Sequence, residues 1–220
     1  MRIKSWIYKT VGSLAFAGMA LVSANNVQAL QFTYASEVGS FINFDGAAHF
    51  NFTPAVNSFK VTSGTAATFL GDISGTYTIG AITTFAGVSS APVTGTGTFV
   101  IHDPVGPNTF SATLVWIDIA QFGTGGTLNV NGTANLTAIS YSGSNSDLLA
   151  IKNAVGAANT LTFQFVPAVL LADLKSTGTH ATSFSGSVGT VPDGGTTVAL
   201  LGFALAGMGL LRWTMKAAKA

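Results

Sequence analysis

Through the middle of this 220-residue chain, large apolar side chains fall at every second position, with Thr, Ser or Asn between them. AHFNFT, SFKVTS, GTYTIG, GTGTFVIHD, TFSATLVWIDI, GTLNVNGTANLTAIS and NTLTFQFV all follow this rule. A period of two marks a strand with one buried face, because successive side chains point to opposite sides of a sheet. In TFSATLVWIDI, Phe110, Ala112, Leu114, Trp116 and Asp118 share one face, and Ser111, Thr113, Val115, Ile117 and Ile119 share the other. Both faces turn apolar toward its end, which predicts a central place in the sheet. The residue types agree, since β-branched and aromatic side chains suit a pleated surface.

Gly, Pro, Asn and Asp punctuate these runs in TPAVN, HDPVGPN, GTGG and SGSNSD. Two segments carry helical signals, though each also fits a strand: SDLLAIKNAVG, with Ser146 or Asp147 as N-cap and Gly156 near its end, and PAVLLADLKS, beginning at Pro167. Many short strands between turn signals predict an all-β fold, an antiparallel β-sandwich or jelly roll. The Gly-Thr pairs hold no constant period, which argues against a solenoid.

Both ends depart from this pattern. Arg2, Lys4 and Lys9 precede the 12-residue uncharged run VGSLAFAGMALV, and Val27 and Ala29 stand at the small-residue spacing a signal peptidase needs. That is a secretory signal, too short to span a bilayer, and it places the mature start near Leu30. At the other end, VPDGG leads into the 14 uncharged residues 198–211, and Arg212, Lys216 and Lys219 follow. With Thr196, Thr197 and Trp213 this stretch approaches the roughly 20 residues of a transmembrane helix, with the basic residues as a cytoplasmic stop. The division expected is a signal peptide at 1–29, one β-rich extracytoplasmic domain at 30–190 and a C-terminal sorting segment at 191–220.

Setting the ends aside changes the charge. Between 30 and 190 only Lys60, Lys152 and Lys175 face seven carboxylates, so the body carries a net −4 although the whole chain is +1. It contains no arginine and no basic stripe, which excludes nucleic acid as a partner. The chain has no cysteine, so disulfides, thiolate chemistry and thiolate metal ligands are excluded too.

The remaining chemistry is sparse. His49, His102 and His180 are the only histidines, and none stands in a zinc-binding spacing. Asp45 and His49 are four apart, a separation that shares a face on a helix and not in the turn and strand expected there. His102-Asp103 opens HDPVGPN and reads as a turn. For calcium, Asn145 and Asp147 are the best local donors, with Asp45 and Asp72 from elsewhere, but no DxDxDG loop exists. There is no GxSxG elbow and no motif of paired carboxylates, Glu37 being the sole glutamate. No catalytic residue, metal site or cofactor is predicted, and the chain reads as a non-enzyme. Phe110, Trp116, Phe163 and Phe165 occupy alternate strand positions and are expected in the core.

The order of motif, apolar span and basic tail resembles the PEP-CTERM class of sorting signals, specifically its VPDSG-CTERM variant. Val191, Pro192, Asp193 and Gly195 match, Gly194 stands where that variant usually has Ser, and Arg212-Trp213 replaces a tighter arginine cluster. The resemblance covers about the last 30 residues. It implies a Gram-negative bacterium, passage through the inner membrane, cleavage near the motif by an exosortase-type transpeptidase, and delivery to the cell surface or an extracellular matrix. Two roles for the body follow: a non-enzymatic surface or matrix protein that touches exopolysaccharide or its own copies, or a displayed carbohydrate-binding or carbohydrate-degrading module. An exposed row of aromatics with an acidic pair would favour the second, and uniformly Thr, Ser and Asn outer faces the first.

Overall fold

The computed structural model describes residues 31–122 and 129–190. The signal cleavage residues Val27 and Ala29, the motif Val191, Pro192, Asp193, Gly194 and Gly195, the apolar span and the stop residues Arg212, Lys216 and Lys219 lie outside the described residues.

The first half of the body is entirely strands: β1 Gln31–Ser36, β2 Phe41–Phe44, β3 His49–Thr53, β4 Phe59–Val61, β5 Leu70–Ile79, β6 Thr83–Phe85, β7 Val88–Thr94 and β8 Thr96–His102. The second half adds β9 Thr109–Phe122, β10 Asn129–Ser140, α1 Ser146–Asn153, β11 Ala157–Gln164, α2 Leu171–Ser176, β12 His180–Thr182 and β13 Phe184–Thr190. Every pairing is antiparallel, as the alternation and the turn chemistry predict.

The strands form one connected hydrogen-bonded network, and eight of them close a ring in the order β5, β8, β9, β10, β11, β13, β1, β4 and back to β5. β7 and β8 lie end to end between β5 and β9, because Val93 pairs with Ile79 while Gly97 pairs with both Gly75 and Leu114. Gly75 (φ +120°) and Gly95 (φ +123°) mark the bends in these two neighbouring strands. Such dihedrals suit glycine, which has no Cβ to clash. Beyond its bend, β5 leaves the ring to pair with β3, and β2 and β12 follow outward.

This second group of strands packs over the ring at the end away from Gln31 and Thr190. Phe44 on β2 meets Phe163 on β11 at 5.6 Å between ring centroids, Phe50 on β3 meets Trp116 on β9 at 4.8 Å, and Phe52 meets Phe184 on β13 at 5.1 Å. None of these strand pairs shares hydrogen bonds, so the contacts are made face to face across the core. Tilted and edge-on ring pairs of this kind add to ordinary burial. Phe110, Trp116, Phe163 and Phe165 all lie in this core, as their alternate positions predict.

The structure corrects several local expectations. Asp118 does not share the buried face of β9: a β-bulge opposite Thr133 and Ala134 shifts the register, so Ile119 is buried and Ile117 is 44% exposed. α1 is capped by Asn145 rather than Ser146 or Asp147, its side chain accepting from the backbone N–H groups of Asp147 and Leu148. α2 begins at Leu171, four residues after Pro167. Among the described residues, no helix is long and apolar enough to cross a membrane.

Candidate functional site

Both ends of the described body leave from one place. Gln31 on β1 stands opposite Gly189 on β13, and Thr190 stands opposite Ala157 on β11. β13 is held on both edges, so the strand that precedes the sorting motif is fixed up to its last residue, and Val191 follows directly in sequence.

The same end of the ring carries the loops 62–69 and 103–108 and the segment 141–156, and these are bonded to one another. Thr65 N–H donates to Asp147 Oδ2 at 2.5 Å, and Asn145 Nδ2 donates to the Thr65 carbonyl at 3.0 Å. The Tyr141 hydroxyl donates to Asp103 Oδ2 at 2.5 Å and accepts from Asn145 N–H at 3.1 Å. Burial, and then the Asp103 carboxylate beside it, push the Tyr141 phenol above its usual range. Asp103 also accepts from Val105 N–H, the turn expected at HDPVGPN. Asn145 and Asp147, the best local calcium donors in the sequence, serve here as a helix cap and a loop clasp. Among the described residues, no group of three or more His, Asp or Glu side chains is placed to hold a metal.

The opposite end carries an open groove of about 600 Å³. Its wall is a row in direct register across three strands, Asn43 on β2, Asn51 on β3 and Thr76 on β5, with Asp45, His49 and His180 beside it. Asp45 and His49 do meet, contrary to the helix-based expectation. The tight β2–β3 turn returns the chain on itself, so Asp45 accepts from His49 N–H at 2.9 Å and faces His49 Nδ1 at 3.2 Å. Desolvation works against the Asp45 charge, but hydrogen bonds from the Ala47 and His49 amides and from the His49 ring prevail and hold its carboxyl below the usual range. His102 pairs with Asp72 at 2.7 Å on a different face.

The outward sheet surface is built of hydroxyls. Thr33, Ser187, Thr160, Thr133 and Asp118 stand in one register row across β1, β13, β11, β10 and β9. Thr160 and Ser187 bond at 2.8 Å, and Thr33 bonds Thr62 and Ser63 at 2.9 and 2.8 Å. Similar pairs link Ser74 with Thr98 and Thr84 with Ser89. Among the described residues, exposed aromatics occur singly, at Phe41, Phe85 and Phe122, and form no row. The ends' proximity and the Asp45–His49 contact carry no local sequence signal, since both depend on turn geometry or on strand pairing across distant segments.

Against known proteins, no curated sequence and no solved structure matches the chain. A family model described as the VPDSG-CTERM motif matches residues 190–215, which begin at the last residue of β13. The C-terminal segment that leaves this strand is thus a VPDSG-CTERM motif, a PEP-CTERM-like exosortase sorting signal.

Proposed function

We propose that this protein is a non-enzymatic component of the cell surface or extracellular matrix of a Gram-negative bacterium. A signal peptidase removes the export signal after Ala29, the apolar span halts the chain in the inner membrane with Arg212, Lys216 and Lys219 as its stop, and an exosortase-type transpeptidase cuts near Val191–Gly195. The body then associates with exopolysaccharide or with its own copies. In this reading residues 30–190 form one domain whose facing layers make a sandwich or jelly roll.

The observation that carries the proposal is the match at residues 190–215, starting where the last body strand stops. The hydroxyl-bearing outer faces support a contact role for the body, since they offer many weak polar partners. Intact-mass analysis of the protein recovered from its own cells tests the proposal. A species beginning near Leu30 and ending near the motif is expected, and recovery of the full 220-residue chain from the cytosol overturns it.

One observation favours a second reading, a displayed carbohydrate-binding module. The Asn43, Asn51 and Thr76 row with Asp45 and His49 presents amide, hydroxyl, carboxylate and imidazole groups side by side, a set suited to sugar hydroxyls. A glycan array probed with the mature protein decides it: clear binding to one sugar class supports this reading, and a blank array removes it.

A further inference from the structure

The body has two unlike ends, and the flanking segments leave from one of them. Resting on the anchored export intermediate described above, we infer that the end carrying Gln31 and Thr190 is a membrane-apposed surface. There the loop tips bearing Val105 and Val155, with Lys152 beside them, lie against an anionic lipid headgroup layer, and the Asp45–His49 groove faces away.

Chain length sets the first constraint. Only the seven residues 191–197 separate Thr190 from the apolar span, a reach of about 25 Å at full extension. The eight residues 23–30 place a similar limit between Gln31 and the signal's apolar run until cleavage. Because Gln31 and Gly189 are direct strand partners, both tethers pull on the same edge of the fold. Val155 stands two residues before Ala157, the partner of Thr190, and is 86% exposed; Val105, at the tip of the neighbouring hairpin, is 69% exposed. Exposed valines occur on other loops as well, at Val38 and Val56, so exposure alone does not single out this end.

Charge supplies the second constraint. The carboxylates of Asp103 and Asp147 at this end are turned inward, the residues 5% and 7% exposed and bonded to Tyr141 and Thr65. Asp72 is engaged by His102. Lys152 is exposed and donates one hydrogen bond to the Tyr141 carbonyl, leaving its charge at the surface. Asp45, Glu37 and Asp173 lie toward the far end, on the β2–β3 and β1–β2 turns and on α2, against the single cation Lys175 on α2 among the described residues there. Along β5, eight strand steps lead from Leu70 through the bend at Gly75 to Thr78, a contour of about 25 Å. The near end thus presents Lys152 with its carboxylates turned inward, while the far end presents exposed carboxylates, so an anionic membrane repels the far end more strongly than the near one.

The absence of cysteine makes the test direct, since a single introduced thiol carries the only label. Full-length V155C, V105C and V38C, each bearing a fluorophore, are reconstituted into vesicles of phosphatidylcholine and phosphatidylglycerol containing headgroup-nitroxide lipid. Quenching at 155 and 105 is expected to exceed that at 38 by about twofold or more, a headgroup label acting only at short range from the interface. Vesicle flotation is measured on the same samples. If the chain floats and all three sites quench alike, the orientation is wrong while anchoring stands; if the chain does not float, the anchored intermediate fails and the orientation falls with it.

Discussion

The Tyr34 hydroxyl donates to Asn159 Oδ1 at 2.7 Å, and both side chains are shut off from solvent. The two residues sit on β1 and β11, with β13 between them, and the ring reaches across because the β13 residue opposite Tyr34 is Gly186. A Cβ at that position would lie 2.3 Å from the Tyr34 ring and 2.7 Å from the Thr160 carbonyl oxygen. Gly186→Ala is expected to destabilise the body by about 1–3 kcal/mol through overpacking. Tyr34→Phe is expected to cost about 1 kcal/mol, since it leaves the buried Asn159 amide with no bond. Urea unfolding of the mature protein ranks the two, and equal stability of Gly186→Ala and wild type removes this account of the glycine.

The same arrangement recurs where Trp116 lies over Gly132 and Tyr77 over Gly97, and it explains what sequence pattern left hidden. β3, β8, β9, β10 and β11 were legible because each alternates apolar and polar residues along its own length. β13, FSGSVGT, places only Phe184 and Val188 in the core, and the reason for its central glycine is a tyrosine some 150 positions away in the chain. β6 buries nothing, so no alternation could reveal it. The sorting signal was legible because its information is local: a motif, an apolar run and a charge cluster in order. Where that signal joins the fold was not, since strand pairing decides it.

Helix α1 is specified by one side chain. Asn145 caps two backbone N–H groups and holds the Thr65 carbonyl, whereas Ser146 touches only the Thr65 hydroxyl. Asn145→Ala is expected to cost about 1–2 kcal/mol and Ser146→Ala less than about 0.5 kcal/mol. Amide hydrogen exchange should also quicken in loop 62–69 for Asn145→Ala alone. Equal losses in both variants would show that the cap is misassigned.

Stability should fall at both extremes of pH, for opposite reasons. Burial raises the Tyr34 and Tyr77 phenols far above their ordinary value near 10, so the fold keeps protons that the unfolded chain releases. Their contribution is full below about pH 10 and declines above it, by about 1.4 kcal/mol per pH unit for each group. Asp45 has the reverse sign: its lowered pKa favours the fold above the ordinary carboxylate range and that contribution disappears on acidification below about pH 4. Asp45 is exposed, so the acid effect is small beside the alkaline one. Thermal melts of wild type and Tyr34→Phe between pH 9 and 11.5 check the assignment. The variant should show a shallower alkaline loss, and parallel curves would refute Tyr34 as a source.

Pro192 is the residue on which sorting should turn. It follows Val191, and a proline disfavours helical dihedrals in the residue before it, keeping that peptide extended. Thr190 is held in β13 by its place opposite Ala157, so the restraint that Pro192 places on the residue before it acts directly where the described body ends. An alanine at 192 removes that restraint and gives the peptide a strong helix former in its place. Pro192→Ala is therefore expected to leave uncut chain in the membrane fraction, detected as a heavier species by intact mass. Gly194→Ser, which restores the residue the variant motif usually carries, is expected to be cut at least as well as wild type. Normal cutting of Pro192→Ala would show that the extended shape of the motif is not what the transpeptidase reads.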